Sequence, residues 1–358
     1  MKAVLLCAGA GTRLRPLTFC RPKHLLPVGG RAVLDWVLTD LADAGVREAI
    51  MVVGQESSHL REFVGDGSRW GMAAAYAVQE YPLGLAHALA CARHLLDDER
   101  FLMYLGDDLL DRGVVVDFAT AFMASAADAS LVVKPVEDPR AFGVAVMEDG
   151  CVTRLVEKPS VPPSDLAVVG VYGFGPTIWE AVDNIEPSAR GELEITDAID
   201  YLVRAGRTVH CHITDGFWAD AGSPDALLSA NRYFLDLLDR RIDGEVDGAS
   251  SVEGAVQIGA GTRVVRSQLI GPCLIGPDCV IEDCLIGAHA AVGAECVLRA
   301  TAVADSIIDD ACRVERVRPG LRRSIIGPGA ALADLSAPGP LRVLAADESV
   351  IVPHEERG

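Results

Sequence analysis

The sequence lacks the features that would place it among membrane, nucleic-acid-binding or disulfide-rich proteins. No uninterrupted apolar run approaches the roughly 20 residues that span a bilayer, and the N-terminus lacks a cleavable signal pattern. A formal charge of −19 excludes the broad basic surface that nucleic acids and anionic membranes require. The cysteines are scattered without a Cys-x-x-Cys pair, so they are predicted to act as buried small hydrophobes rather than in disulfides or metal sites. We expect a cytoplasmic protein that binds neither membranes nor nucleic acids.

The chain is instead long and apolar enough for more than one domain. It has 358 residues, of which 50% are hydrophobic. Residues 1 to about 222 alternate short apolar runs, such as "KAVLLCA" and "RFLMYLGDD", with stretches of helical periodicity such as "AVLDWVLTDLADAG". Near-continuous Val, Leu and Ile runs indicate strands covered on both faces. We predict an α/β domain over residues 1–242, with a Rossmann-like, mainly parallel sheet sandwiched by helices.

From about residue 250 the pattern changes to Ile-Gly-x-Gly repeats. Ile or Val precedes Gly at residues 258, 270, 275, 286, 292 and 326, with gaps of 12, 5, 11, 6 and 34. Gaps near multiples of six are typical of a parallel β-helix of hexapeptide repeats, and roughly 18 residues per coil would give ~4 coils. We predict this domain over residues 250–332, after a linker at 243–250 and before a C-terminal tail at 333–358.

The repeat domain is expected to have a structural role and to make the protein a homo-oligomer. An acyltransferase role is disfavoured, because the repeats are few and interrupted and His289 is isolated.

The stretch "LLCAGAGTRLRPLTFCRPKHLLPV", residues 5–28, places a glycine-rich turn and clustered positive charge directly after the first strand. Gly9 and Gly11 allow backbone N–H groups to approach phosphate oxygens closely. The cations that follow are Arg13, Arg15, Arg21 and Lys23. In so acidic a chain this clustering predicts an anion-binding loop, although the stretch is neither a Walker A sequence nor a GxGxxG fingerprint.

This stretch resembles the signature of the sugar-1-phosphate nucleotidyltransferases, "GxGTRLRPLT…PKxLLPV". Further motifs of the family follow in order: "GDGSRWG" at 65–71, "AVQEYPLGLAHA" at 77–88, "YLGDD" at 104–108, "AFGVA" at 141–145, "EKP" at 157–159, "RGELEITD" at 190–197 and "FWADAG" at 217–222. The set is most similar to the long glucose-1-phosphate thymidylyltransferases, which carry a C-terminal left-handed β-helix. The resemblance implies the nucleotidyltransferase fold and a Mg²⁺-dependent reaction. A nucleoside triphosphate, with dTTP favoured, and a sugar 1-phosphate, with glucose 1-phosphate favoured, would give an NDP-sugar and pyrophosphate.

The resemblance also implies a role for individual residues. The catalytic set would be Arg13, Lys23, Asp107, Lys158 and Asp220, with Asp107 and Asp220 on Mg²⁺. The nucleotide would be bound by Ala8, Gly9, Gly11, Thr12, Arg13, Lys23, Gln79 and Gly84, the last two at the base. The sugar phosphate would be bound by Asp108, Gly143, Glu157, Lys158, Val169, Glu192 and Thr196. Cations and metal suit this chemistry, because two polyanions must be aligned and a pyrophosphate must leave.

Three positions depart from the pattern of the thymidylyltransferases. Asp108 stands where an asparagine is usual, and an ionised carboxylate can only accept hydrogen bonds. Val169 replaces a common threonine, and Gly173 replaces a bulkier residue. The alternative substrates are UTP or GTP and a non-glucose sugar or cyclitol phosphate. A less favoured alternative is a catalytically silent regulatory subunit, since the five predicted catalytic residues are all retained.

Overall fold

A computed structural model of the chain describes residues 1–96 and 99–353 and divides into two compact units. The first unit comprises residues 1–9 and 34–220, and the second comprises residues 10–33 and those from 221 onward. The helices are α1 (Val33–Asp43), α2 (Ser58–Val64), α3 (Leu85–Ala92), α4 (Val114–Ala124), α5 (Ile178–Asn184), α6 (Ile195–Arg204) and α7 (Pro224–Asp236). Within the described ranges, none of these helices is long and apolar enough to cross a membrane.

The first unit is built on one large mixed sheet. The strands before residue 221 are β1 (Lys2–Cys7), β2 (Pro27–Val28), β3 (Arg31–Ala32), β4 (Glu48–Val53), β5 (Ala73–Val78), β6 (Phe101–Leu105), β7 (Asp108–Leu110), β8 (Ala129–Pro135), β9 (Gly143–Glu148), β10 (Cys151–Glu157), β11 (Leu166–Phe174), β12 (Val209–Ile213) and β13 (Trp218–Asp220). The sheet order is β5-β4-β1-β6-β11-β8-β12-β10-β9, while β2 and β3 form a separate hairpin in the second unit.

The expectation of a mainly parallel sheet is wrong for half of this sheet. Strands β5, β4, β1 and β6 are parallel to one another, as are β8 and β12. Strand β11 runs antiparallel to β6 and β8, and β10 runs antiparallel to β9 and β12. Apolar runs indicate that both faces of a strand are covered, and they carry no information on strand direction. The covering helices are present as predicted: Leu89 of α3 and Ile199 of α6 join Val4 of β1 in one buried core.

The second unit contains three sheets of short parallel strands. The strands are β14 (Arg241–Ile242), β15 (Glu245–Val246), β16 (Ser251–Glu253), β17 (Val256–Ile258), β18 (Arg263–Val265), β19 (Gln268–Ile270), β20 (Cys273–Ile275), β21 (Val280–Glu282), β22 (Leu285–Ile286), β23 (Ala290–Val292), β24 (Val297–Arg299), β25 (Ala302–Ala304), β26 (Ser306–Ile308), β27 (Arg313–Glu315), β28 (Leu321–Arg322), β29 (Ile325–Ile326), β30 (Ala331–Ala333), β31 (Leu344–Ala345) and β32 (Val350–Ile351). Consecutive strands visit the three sheets in turn, so that Val256 pairs with Cys273 in the next circuit. This order is consistent with a parallel β-helix, and residues 241–351 are called the β-helix region below.

The β-helix region is longer than the repeats indicate. Its strands begin at Arg241 and continue to Ile351, beyond the 250–332 predicted from the pattern. Among the described residues, two of the sheets have seven strands and the third has five, against the ~4 coils expected. The outer circuits, such as "RIDGEV" and "RVLAADESVIV", lack the Ile-Gly signal although they pair in register with their neighbours. Residues 354–358 of the predicted tail lie outside the described residues.

The late cysteines stack inside the β-helix region. Cys273, Cys279, Cys284, Cys296 and Cys312 are all buried. The Cys279 thiol lies 3.0 Å from the Gly293 carbonyl oxygen, and that of Cys296 lies 3.0 Å from the Asp309 carbonyl oxygen. Burial raises the pKa of Cys273 to about 12, so this thiol stays protonated near neutral pH. The prediction of small buried fillers is confirmed for these five, whereas Cys20 is exposed.

Candidate active site

Three of the predicted carboxylates lie at a small two-stranded sheet in the first unit. Strand β7 pairs antiparallel with β13, and Asp220 is directly opposite Asp108, with Asp107 one residue before the ladder. Asp107 and Asp220 are half-buried, and one carboxylate oxygen of Asp220 is fully buried. No group of three or more His, Cys, Asp or Glu side chains among residues 1–96 and 99–353 could hold a metal by itself. The pair fits Mg²⁺, which takes one or two protein carboxylates and completes its shell with phosphate oxygens and water.

Asp108 points away from solvent, against a glycine of the large sheet. Its residue is only 3% exposed. A Cβ on Gly170 of β11 would lie 1.8 Å from one Asp108 carboxylate oxygen, and Gly170 has φ +70°. Gly170 lies in the part of β11 where the pairing with β8 shifts register, between Val168 and Tyr172. Glycine is thus required at 170 both by its backbone conformation and by the close approach of the carboxylate.

Four of the seven predicted sugar-phosphate residues meet around Glu157. The β9–β10 ladder pairs Glu157 with Gly143. The Thr196 hydroxyl donates to one Glu157 oxygen over 3.1 Å, and the Lys158 ammonium lies 2.9 Å from the other. A Cβ on Gly143 would lie 2.6 Å from the Thr196 methyl carbon. Lys158 itself has φ +40°, an uncommon conformation for a residue with a side chain, held where its N–H donates to the Phe142 carbonyl over 3.0 Å.

Arg190 completes this group, and sequence reasoning missed it. Its guanidinium lies 3.2 Å from Glu157, 3.1 Å from Glu192 and 3.3 Å from Glu194. A cavity of about 680 Å³ is lined by Glu157, Lys158, Arg190 and Glu194, among others. The signal was available, because Arg190 is a lone cation before two glutamates in the quoted motif "RGELEITD". Gly143, Glu157, Lys158, Arg190 and Thr196 are called the Glu157 cluster below.

Tyr172 of β11 is a buried tyrosine whose pKa is affected by the charges of both Glu157 and Asp108. The tyrosine is 3% exposed. Burial raises its pKa well above the usual range, and the charges of Glu157 and Asp108 raise it further. The phenol therefore lies within electrostatic reach of both carboxylates and stays protonated, which leaves it able to donate a hydrogen bond.

The other two positions at which the sequence departs from the thymidylyltransferases are interior. Val169 is fully buried in β11. A Cβ on Gly173 would lie 2.5 Å from the Phe122 ring of α4. Core packing against this aromatic ring accounts for the small residue at 173.

The two predicted base-binding residues lie together in the first unit. The Gln79 amide nitrogen lies 3.1 Å from the Gly84 carbonyl oxygen and 3.0 Å from the His87 ring. Gly84 has φ +106°, and a Cβ there would lie 2.4 Å from the Leu193 carbonyl oxygen. That carbonyl accepts from the Ala86 N–H over 3.0 Å, at the start of α3. The segment between Glu192 and Glu194 is thus joined to the predicted base site.

The glycine-rich stretch is shared between the two units. Ala8, half-buried, and Gly9, exposed, end the first unit's opening segment. Residues 10–33, called the 10–33 loop below, belong to the second unit. Within the loop the Thr18 hydroxyl donates to the Gly11 carbonyl over 2.8 Å, and a Cβ on Gly11 would lie 3.2 Å from the Lys23 Cβ. Thr12 and Arg13 are exposed on a single 3₁₀ turn, Thr12–Leu14.

One of the four clustered cations does not face a ligand. Arg21 is directed into the β-helix region, where its guanidinium lies 2.5 Å from Asp309. The prediction that Arg21 contributes to an anion-binding loop is therefore corrected, because a carboxylate already neutralises its charge. The pair is nearly buried, with side-chain exposures of 14% for Arg21 and 10% for Asp309.

Comparison with known proteins agrees with this geometry. A nucleotidyl transferase family model matches residues 2–236. The chain belongs to the nucleotidyl transferase family. It is 42% identical to a glucose-1-phosphate thymidylyltransferase of Streptomyces griseus, over 91% of this chain and 92% of the relative. It is 40% identical to a glucose-1-phosphate thymidylyltransferase of Streptomyces antibioticus, over 98% and 99%. These relatives confirm that the chain is a sugar-1-phosphate nucleotidyltransferase.

A solved structure supports the fold of this nucleotidyl transferase. A Bacillus anthracis protein assigned as a glucose-1-phosphate thymidylyltransferase, in complex with sucrose, is 30% identical, with a TM-score of 0.62. The match covers 67% of this chain and 98% of that protein. The predicted Rossmann-like nucleotidyltransferase fold is therefore confirmed.

Proposed function

We propose that the protein transfers a nucleoside monophosphate from dTTP to glucose 1-phosphate, releasing pyrophosphate with Mg²⁺. The observation that carries this proposal is the Glu157 cluster. Family resemblance assigns four residues from three segments to the sugar phosphate, and these residues meet around Glu157: Gly143, Glu157, Lys158 and Thr196. Arg190 adds a second cation beside Lys158. Two cations and a carboxylate suit a ligand that combines a phosphate with sugar hydroxyls.

The reaction needs no general base. A sugar 1-phosphate is largely a dianion at neutral pH, because its second pKa is about 6, and its oxygen can attack the α-phosphate directly. In this proposal Lys158 and Arg190 hold that phosphate in line, exchanging their present carboxylate partners for phosphate oxygens. Arg13 and Lys23 bind the triphosphate and stabilise charge on the departing pyrophosphate. Mg²⁺ bound by Asp107 and Asp220 would neutralise charge on the phosphate oxygens.

Base and sugar selection rest on residues of the proposed site other than the phosphate-binding cations. Gln79 pairs with a pyrimidine edge while Gly84 lets the backbone lie against the base. Glycine is also required at 84 by the protein itself, because a Cβ there would meet the Leu193 main chain. Glu157, Glu192 and Asp108 offer carboxylate oxygens to sugar hydroxyls. Ionised Asp108 accepts but cannot donate, which leaves UTP or GTP and another sugar or cyclitol phosphate as the second candidate substrates.

A pyrophosphate-release screen tests the proposal. ATP, GTP, CTP, UTP and dTTP are each paired with a panel of hexose and cyclitol 1-phosphates, and the Asp107→Asn variant gives the background. The expected result is the highest kcat/KM with dTTP and glucose 1-phosphate. Pyrophosphate release no higher than the Asp107→Asn background for every pair of substrates would refute the proposed activity. Calorimetric binding of an NDP-sugar without turnover would then indicate the silent regulatory subunit.

A further inference from the structure

The 10–33 loop is fastened to the β-helix region by a nearly buried ion pair. Besides Asp309, the Arg21 guanidinium approaches Asp347, with Nε 3.6 Å from its carboxylate. Asp309 and Asp347 come from different circuits of the β-helix region, at the ends of β26 and β31. Arg21 is followed by Pro22, which caps the 3₁₀ turn that begins with Lys23. The ion pair thus fixes the backbone immediately before Lys23.

A second contact anchors the far end of the loop. The Gly29 N–H donates to the Asn231 side-chain oxygen over 3.0 Å. The Asn231 amide donates in turn to the His289 carbonyl over 3.1 Å, and Asn231 is fully buried on α7. A Cβ on Gly30 would lie 3.0 Å from a methyl of Leu274. The loop is therefore held on both sides of Lys23, by Arg21 before it and by Gly29 and Gly30 after it.

The energetics favour a rigid attachment. Burial raises the pKa of Asp309, and the positive charge of Arg21 opposes that rise. A nearly buried carboxylate and guanidinium stabilise each other only when both are present, so removal of either partner leaves an uncompensated charge. Arg21 also loses freedom to turn toward another anion, because two carboxylates compete for its guanidinium.

We propose that Arg21, Asp309 and Asp347 are positioning residues through which the β-helix region holds the triphosphate-binding loop in its active conformation. This inference rests on the proposed function, in which Lys23 and Arg13 bind the triphosphate. It gives the β-helix region a part in nucleotide affinity in addition to any role in assembly. None of the three residues need touch the nucleotide.

Substitution of the acidic partners separates positioning from direct electrostatics. Removing a negative charge near a polyanion site should tighten binding if only Coulomb attraction mattered. If the carboxylates act by positioning the loop, their substitution should instead weaken triphosphate binding. We expect Asp309→Asn and Arg21→Met each to raise the KM for the nucleoside triphosphate by about tenfold, while the KM for the sugar phosphate changes less than about twofold. The double variant should be no worse than the more severe single one, because both remove the same contact.

Asp305→Asn is the matched control. Asp305 precedes β26 in the circuit that holds Asp309, is similarly buried, and pairs with Arg232 of α7 at 2.6 Å instead of with the loop. This variant should lose comparable stability, followed by thermal unfolding, and keep the wild-type KM for the triphosphate. If Arg21→Met does not fold, the near-isosteric Asp309→Asn and Asp347→Asn variants decide.

The outcomes distinguish this inference from the proposed function. Wild-type protein that neither releases pyrophosphate nor binds any nucleoside triphosphate by calorimetry overturns both. Active wild-type protein whose Asp309→Asn and Arg21→Met variants keep the triphosphate KM within twofold overturns the positioning role alone. Equal increases in that KM for Asp305→Asn and Asp309→Asn would also overturn it, because general destabilisation would then explain the effect.

Discussion

Replacing Asp107 by Asn tests the two-carboxylate site most directly. The change keeps the size of the side chain, and the β7–β13 ladder beside it is made by main-chain groups, so the fold should persist. One of the two carboxylates proposed for Mg²⁺ becomes a neutral amide. Losing one preorganised electrostatic contact to reacting phosphates costs about 3 kcal/mol of transition-state stabilisation. That loss corresponds to a decrease in kcat of about a hundredfold or more.

The assay is pyrophosphate release at saturating substrates across a Mg²⁺ titration. We expect a lower plateau and a higher Mg²⁺ concentration at half-maximal rate, with the unfolding free energy changed by less than about 1 kcal/mol. Asp111→Asn is the control, since Asp111 directly follows β7 and its N–H donates to the Phe217 carbonyl next to β13. It should retain wild-type kinetics. A plateau within tenfold of wild type for Asp107→Asn would refute the metal assignment, as would an equal loss in Asp111→Asn.

Three further variants address the sugar-phosphate site. Gly143→Ala places a Cβ 2.6 Å from the Thr196 methyl, so we expect the KM for the sugar phosphate to rise about tenfold. Gly248→Ala is the control, because its Cβ meets no atom within 4 Å and the KM should not change. An unchanged KM in Gly143→Ala would contradict the proposed role of the Glu157 cluster. Asp108→Asn supplies an amide donor and should raise kcat/KM for glucose 1-phosphate severalfold. An unchanged or lower kcat/KM would contradict the idea that Asp108 shifts the preference away from glucose 1-phosphate. Arg190→Met should make stability more pH-dependent. Burial already raises the pKa of Glu194, and loss of the cation raises it further. When the pKa of a carboxyl is higher in the folded than in the unfolded protein, the protein becomes less stable as pH rises from the unfolded pKa, about 4.3 for Glu, through the folded pKa. The urea midpoint of Arg190→Met should therefore lie further below that of the wild type at pH 8 than at pH 5. An equal difference between the urea midpoints of Arg190→Met and wild type at pH 5 and pH 8 would contradict this prediction.

The linear motifs predicted residues that the fold of the first unit brings together, because each motif ends a strand or begins a helix. Lys158 follows β10, Thr196 begins the first turn of α6, and Asp220 ends β13. Contacts made across the chain could not be predicted in this way. Arg190 was overlooked because its importance depends on three glutamates that only the fold brings around it. Arg21 was misassigned because its partners, Asp309 and Asp347, lie 288 and 326 residues away in the sequence.

The same separation explains why strand direction and the limits of the β-helix region were missed. Burial on both faces produces apolar runs in parallel and antiparallel strands alike. The outer circuits of the β-helix region need fewer Ile-Gly steps because one side has no further circuit to stack upon. A pattern in one sequence therefore predicts what a segment buries more reliably than which segment it pairs with.

Because the chain is acidic, its functional cations lie next to carboxylates, with which a bound phosphate must compete. Lys158, Arg190 and Arg21 each lie against at least one carboxylate. For Lys158 and Arg190, which are 41% exposed, phosphate oxygens can replace the carboxylates at little desolvation cost, because water already reaches both side chains. Arg21 is 14% exposed and cannot exchange its partner so readily. Exposure thus separates the two cations that we propose bind substrate from the one that we propose holds the loop, although all three appear equivalent in the sequence. Glu157→Gln should show whether Glu157 mainly orients Lys158 and Arg190 or mainly competes with the phosphate for them. It weakens the orientation of Lys158 and Arg190 but also removes a competitor for them, so the KM for the sugar phosphate should change less than it does in Gly143→Ala, while kcat falls. A larger KM increase in Glu157→Gln would show instead that the carboxylate itself binds the sugar.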